Sequence, residues 1–125
     1  MAEQKPVILY VDDDADYRAA VRAILEHEGY QMIEADSAAD GLAVFRERRP
    51  DIVLVDLMME EIDAGTALVR DIRASGGEVP IYLLSSVGDD MALGADVEGL
   101  GLAGVFQKPI DRATLLRVLG ARARA

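Results

Sequence analysis

The chain contains no cysteine. That excludes a disulfide framework and any thiolate metal site, and it makes a reducing cytoplasm the expected compartment. Basic residues are scarce as well: 13 Lys and Arg stand against 23 Asp and Glu, for a formal net charge of −10. Nucleic-acid binding draws much of its affinity from neutralised phosphates, so no direct nucleic-acid contact is expected. Arg117, Arg122 and Arg124 read as a solvated face of a last helix. No apolar run approaches the ~20 residues that span a bilayer. The opening Met1-Ala2-Glu3-Gln4-Lys5-Pro6 is too short and too polar for a signal peptide, so no membrane role is expected.

What is present is a hydrophobic fraction of 51% in 125 residues, enough for the core of one domain. Val7 to Val11 and Ile52 to Val55 are continuous apolar runs, as in strands buried on both faces. Ile81 to Leu84 is a third such run, Tyr30 to Ala35 is a more polar strand nearer an edge, and Val105-Phe106 begins a short last strand. Between them lie amphipathic segments. The first runs from Ala15 to Glu28, with Tyr17, Val21, Ile24 and Leu25 on one side and Gly29 at its end. Ser37 caps a second helix that ends before Pro50, and a third runs from about Gly65 to Ala74, closed by Gly76 and Gly77. Asp111 caps a last helix with Leu115, Leu116, Val118 and Leu119 as its core positions. Residues 87–104 carry five glycines and only a weak helical pattern. Strand and helix alternate, which predicts an α/β fold with a parallel sheet and helices on both faces.

Four polar stretches follow or close the apolar runs: Asp12-Asp13-Asp14, Asp56, Ser85-Ser86 and Gln107-Lys108-Pro109. In a parallel sheet these ends meet at one edge, where such folds bind ligands. Three carboxylates, a hydroxyl and an ammonium would then share one pocket. That set suits phosphoryl transfer to an aspartate. One carboxylate attacks, others hold Mg²⁺, and the lysine and hydroxyl bind the remaining phosphoryl oxygens.

In these motifs the chain resembles the response-regulator receiver domains of two-component signalling, of the single-domain, chemotaxis-regulator type. The resemblance covers nearly all of residues 1–125, which are expected to form one receiver domain. It implies a flavodoxin-like, doubly wound, five-stranded parallel sheet in the order 2-1-3-4-5, an order that members of this family share with flavodoxin. It implies Asp56 as phosphoacceptor, with Ser85 and Lys108 as the groups that bind the phosphoryl oxygens. It places Mg²⁺ on Asp13, Asp56 and the backbone carbonyl of Met58, with Asp12 acting through water. The Lys108-Pro109 bond is expected to be cis. A sensor histidine kinase or a His-phosphotransfer protein would donate the phosphoryl group, and the output would be altered binding to a downstream protein. Pairing as a homodimer stays open. No effector is fused within these residues. The chain is not expected to be an enzyme beyond catalysing its own phosphorylation and dephosphorylation.

The chain departs from the family at three places. Receivers usually carry proline where Glu60 stands, glycine where Ala64 stands, and an aromatic three residues before the lysine, where this chain has Val105. Its aromatic, Phe106, comes one place later, on the opposite face, and is expected in the core. Ordering of residues 87–104 is the expected switch instead. Met58, beside the path of a hydrolytic water, is expected to slow loss of the phosphoryl group. Met58 and Met59 otherwise read as loop packing. His27, between Glu26 and Glu28, reads as a solvated surface side chain.

Glu60, Ala64 and Val105 support an alternative: a phosphorylation-independent pseudo-receiver that serves as a docking module. The intact Asp13, Asp56, Ser85 and Lys108 oppose it. A small aspartate-nucleophile phosphatase would use Asp12 and Asp14, but no substrate-covering insertion follows them. A flavodoxin-like cofactor protein would need a glycine- or hydroxyl-rich loop after the first strand, which is missing.

Overall fold

The apolar runs form strands at the expected places. They are Val7–Val11 (β1), Gln31–Ala35 (β2), Ile52–Asp56 (β3), Ile81–Ser85 (β4) and Gly104–Gln107 (β5). The computed structural model describes residues 6–57, 59, 64–86 and 101–123. All strand pairs are parallel, and the order is β2-β1-β3-β4-β5. β2 is an edge strand, in keeping with its polar Gln31 and Glu34. The order reverses between β1 and β3, which opens a crevice at their carboxyl ends.

Four helices are described: Ala15–His27 (α1), Ala38–Arg48 (α2), Ala64–Ala74 (α3) and Arg112–Ala123 (α4). Side-chain caps start three of them. Asp14 accepts from the amides of Asp16 and Tyr17, Ser37 from Asp40, and Asp111 from Thr114. Gly29 and Gly76 follow α1 and α3 with φ of 91° and 90°, a conformation that favours glycine.

Alternation along the strands divides the core in two. Ile8, Tyr10, Ile52, Leu54, Tyr82, Leu84 and Phe106 pack with Val21 and Leu25 of α1 and Leu115 and Leu119 of α4. Leu9, Val11, Val53, Val55, Ile81 and Leu83 pack with Phe45 of α2 and Leu68, Val69 and Ile72 of α3. Fully burying one such side chain stabilises the fold by ~1.5–3 kcal/mol.

One expectation needs correction. Leu116 and Val118 are only half-buried, because the face of α4 turned to the sheet is set by the i, i+4 pair Leu115 and Leu119. Tyr17 and Ile24 pack, partly buried, against the same cluster as Val21 and Leu25, on the expected side of α1. Phe106 is in the core, with its ring centroid 5.3 Å from that of Tyr82, while Val105 is 43% exposed. The expectations for residues 87–100, for Met58, and for Glu60 lie outside the described residues.

Candidate phosphoacceptor and metal site

Asp12 follows β1 directly and is fully buried. Its backbone continues the sheet, its N–H donating to the carbonyl of Ala35 at 3.1 Å. Its carboxylate accepts three hydrogen bonds. Oδ1 accepts from the Asp14 N–H at 2.9 Å, and Oδ2 accepts from Tyr10 Oη and from Lys108 Nζ, the latter at 3.0 Å. Arg18 of α1 donates to the Asp12 carbonyl at 2.7 Å and so ties the acidic turn to the helix. The three consecutive aspartates therefore divide their work: Asp12 is buried and paired, Asp13 faces solvent, and Asp14 caps α1.

Asp56 closes β3, the neighbour of β1 in the sheet. Asp12, Asp13 and Asp56 each bring one carboxylate oxygen within 4.8 Å of the others. Asp56 Oδ1 lies 3.2 Å from Lys108 Nζ. Burial first, and then the charge of Asp12, push the Asp56 carboxyl up to about 6, although Lys108 opposes them. For Lys108, burial pulls downward, but the hydrogen bond to Asp12 and the charges of Asp56 and Asp12 outweigh it. The ammonium is held above its ordinary value. Asp12 and Asp56 share one ammonium, and the cluster keeps a net negative charge when all three of its carboxylates are ionised.

That residual charge and the hard oxygen donors fit a divalent cation of the Mg²⁺ kind. Asp13 and Asp56 are the direct candidates. Asp12, already accepting three hydrogen bonds, is suited to act through water.

Lys108 is positioned by several elements. It follows β5, its N–H donates to the Ser85 carbonyl at 2.7 Å, and the Lys108-Pro109 bond is cis. Its Nζ lies 4.3 Å from the ring centroid of Tyr17, a cation–π contact. Tyr17 Oη accepts from the Ile110 N–H at 2.8 Å, which anchors the turn after the lysine to α1. Ser85 ends β4, fully buried, and its hydroxyl accepts from Gln107 Nε2 at 3.2 Å. It stands one place beyond Leu84, the register partner of Asp56. The fold thus brings Asp12, Asp13, Asp56 and Lys108 into one cluster and sets Ser85 beside it at the same sheet edge. Met58 lies outside the described residues. His27 is exposed, far along α1 from the acidic turn.

Sequence reasoning gave no role to four supporting residues. In the sequence Tyr10 and Tyr17 are simply apolar positions, Gln107 a strand end and Gly65 the start of a helix. A Cβ on Gly65 would lie 2.5 Å from the Asp56 carbonyl oxygen and 2.7 Å from that of Leu57. The close approach of α3 to the end of β3 therefore requires a glycine here, one place after Ala64.

Comparison with known proteins agrees with this geometry. The family described as response regulator receiver domain matches residues 8–120. The chain is 36% identical over 120 residues to the transcriptional regulatory protein AfsQ1 of Streptomyces coelicolor, covering 96% of this chain and 50% of that protein. It is 32% identical over 117 residues to protein PilH of Pseudomonas aeruginosa, covering 91% and 94%. The chain thus spans about half the length of the transcriptional regulators it matches and nearly all of PilH. Among solved structures, a response regulator receiver domain protein from Clostridium thermocellum superposes with a TM-score of 0.83 at 25% identity, over 94% of both chains. A response regulator receiver protein from Pseudomonas putida superposes with a TM-score of 0.82 at 29% identity, over 96% and 99%.

Proposed function

The chain belongs to the response regulator receiver family, and from that premise we propose that Asp56 accepts a phosphoryl group in a Mg²⁺-dependent reaction. The observation that carries this reading is the cluster itself. Asp12, Asp13 and Asp56 lie within reach of one cation, and Lys108 bridges Asp12 and Asp56. The donor is a phosphohistidine of a sensor histidine kinase or a His-phosphotransfer protein. An Asp56 carboxylate oxygen forms the new bond to phosphorus as the bond from phosphorus to the histidine nitrogen breaks. The electron pair of that bond stays on the imidazole.

The transferring group is loosely bonded, so positioning and charge neutralisation dominate the chemistry. Mg²⁺, when bound, would supply part of that neutralisation; Asp13 and Asp56 would hold it, together with the Met58 carbonyl, and Asp12 would act through water. Lys108 turns from Asp12 and Asp56 to the phosphoryl oxygens. Ser85 releases Gln107 and donates its hydroxyl to another of them. The receiver unit takes in residues 1–125 and works in the cytoplasm. Its output is altered binding to a downstream protein partner, with no direct nucleic-acid or membrane contact. Among the described residues no helix is long and apolar enough to cross a membrane.

Incubation with Mg²⁺ and acetyl phosphate, followed by intact mass measurement, tests this reading. One added phosphoryl mass is expected, lost in Asp56→Asn and without Mg²⁺. If no mass is gained and beryllofluoride also fails to bind, the reading is wrong, and a docking module that works without phosphorylation takes its place.

A further inference from the structure

Tyr10 is the fourth residue of β1 and is fully buried in the layer beneath α1 and α4. Phenylalanine would fill that layer equally well. A hydroxyl there is a polar atom among apolar ones and requires a partner. Residues two apart on a strand share a face, so Tyr10 reaches along the sheet toward Asp12 and donates to its Oδ2.

Two donors thus meet on Oδ2, and they differ in freedom. Lys108 ends a long side chain and is shared with Asp56 at 3.2 Å. A phosphoryl group on Asp56 offers its ammonium stronger acceptors. The Tyr10 hydroxyl is fixed by a central strand and its core packing.

We propose that Tyr10 is a positioning residue of the phosphoacceptor site: its hydroxyl holds the buried Asp12 carboxylate in place when Lys108 leaves Asp12 for the phosphoryl group. The inference rests on reading Asp56 as the phosphoacceptor. Without the hydroxyl, departure of Lys108 leaves Oδ2 of a fully buried carboxylate without a side-chain donor. That penalty falls more heavily on the phosphorylated form, where Lys108 is elsewhere, than on the resting form, where Lys108 still donates to Oδ2.

Tyr10→Phe keeps the ring and removes only the hydroxyl. Beryllofluoride, added with Mg²⁺, imitates the phosphoryl group and can be titrated calorimetrically. Tyr10→Phe is expected to weaken beryllofluoride binding about tenfold while changing affinity for Mg²⁺ alone by less than about threefold, as suits one hydrogen bond to a charged group lost from one state. A merely structural role would weaken both together. Equal beryllofluoride affinity in wild type and variant, or parallel losses for both ligands, would overturn the proposal. Failure of the wild type to bind beryllofluoride would overturn this inference, and with no phosphoryl mass gained from acetyl phosphate it would overturn the phosphoacceptor reading as well.

Proton NMR of the wild type gives a second test that does not depend on the variant folding. A slowly exchanging Tyr10 hydroxyl proton is expected to persist when Mg²⁺ and beryllofluoride are added. Its loss on addition would also overturn the proposal.

Discussion

At the scale of single residues, Asp56 is a carboxyl group kept costly until something binds it. Its pKa is raised from the ordinary 3.8 to about 6, chiefly by burial and then by Asp12. The folded protein therefore holds this proton more tightly than the unfolded chain does. The associated stability is fully present below about pH 4 and is lost as pH rises through about 6. Asparagine imitates the protonated acid. In the metal-free protein, Asp56→Asn is expected to be nearly neutral at pH 4 and stabilising by roughly 2–3 kcal/mol at pH 8. Urea unfolding of both proteins in EDTA across that range would check this. A difference that did not grow with pH would contradict the assigned cause.

At the scale of elements, the decisive contact is between the start of α3 and the end of β3. Ala64 and Gly65 are both buried, and Gly65 faces the carbonyls of Asp56 and Leu57 with no room for a methyl group. Backbone cannot move aside as a flexible side chain can, so Gly65→Ala must displace the helix or the strand end. A loss of ~1–3 kcal/mol is expected by denaturant titration, together with weaker Mg²⁺ binding, because the shift reaches Asp56. An unchanged midpoint would mean that α3 tilts away at little cost. α1 makes a comparable connection on the other side. Asp14 caps it, Arg18 holds the Asp12 carbonyl, and Tyr17 lies against Lys108. One helix thus touches both the acidic turn and the lysine, which are 96 residues apart in sequence.

At the scale of the whole molecule, the site concentrates negative charge in a chain that is already at −10. A ligand that binds only the folded state stabilises it by about 2.7 kcal/mol at one hundred times its dissociation constant. Saturating Mg²⁺ is therefore expected to raise the melting temperature by on the order of 10 °C, and Asp13→Asn to remove most of that gain. Differential scanning calorimetry with Mg²⁺ against EDTA would measure it. An Asp13→Asn protein that gained as much as wild type would place the cation elsewhere.

Much of this molecule is determined locally. Apolar runs of strand length, amphipathic spacing and capping residues each act over a few neighbours, so the alternation of strands and helices was legible from the chain. The acidic turn, Asp56, Ser85 and Lys108 were legible too, because each directly follows or closes one of those runs. Tertiary structure decided what depends on register and approach. Only the pairing of β1, β3 and β4 brings Asp12, Asp56 and Ser85 to one edge. Only the depth of α3 makes Gly65 necessary. Only the shared face of Tyr10 and Asp12 turns an apolar-looking tyrosine into a hydrogen-bond donor for the site. Local propensity acts over one or two turns of chain, whereas these contacts join residues whose separation is set by the packing of the whole sheet.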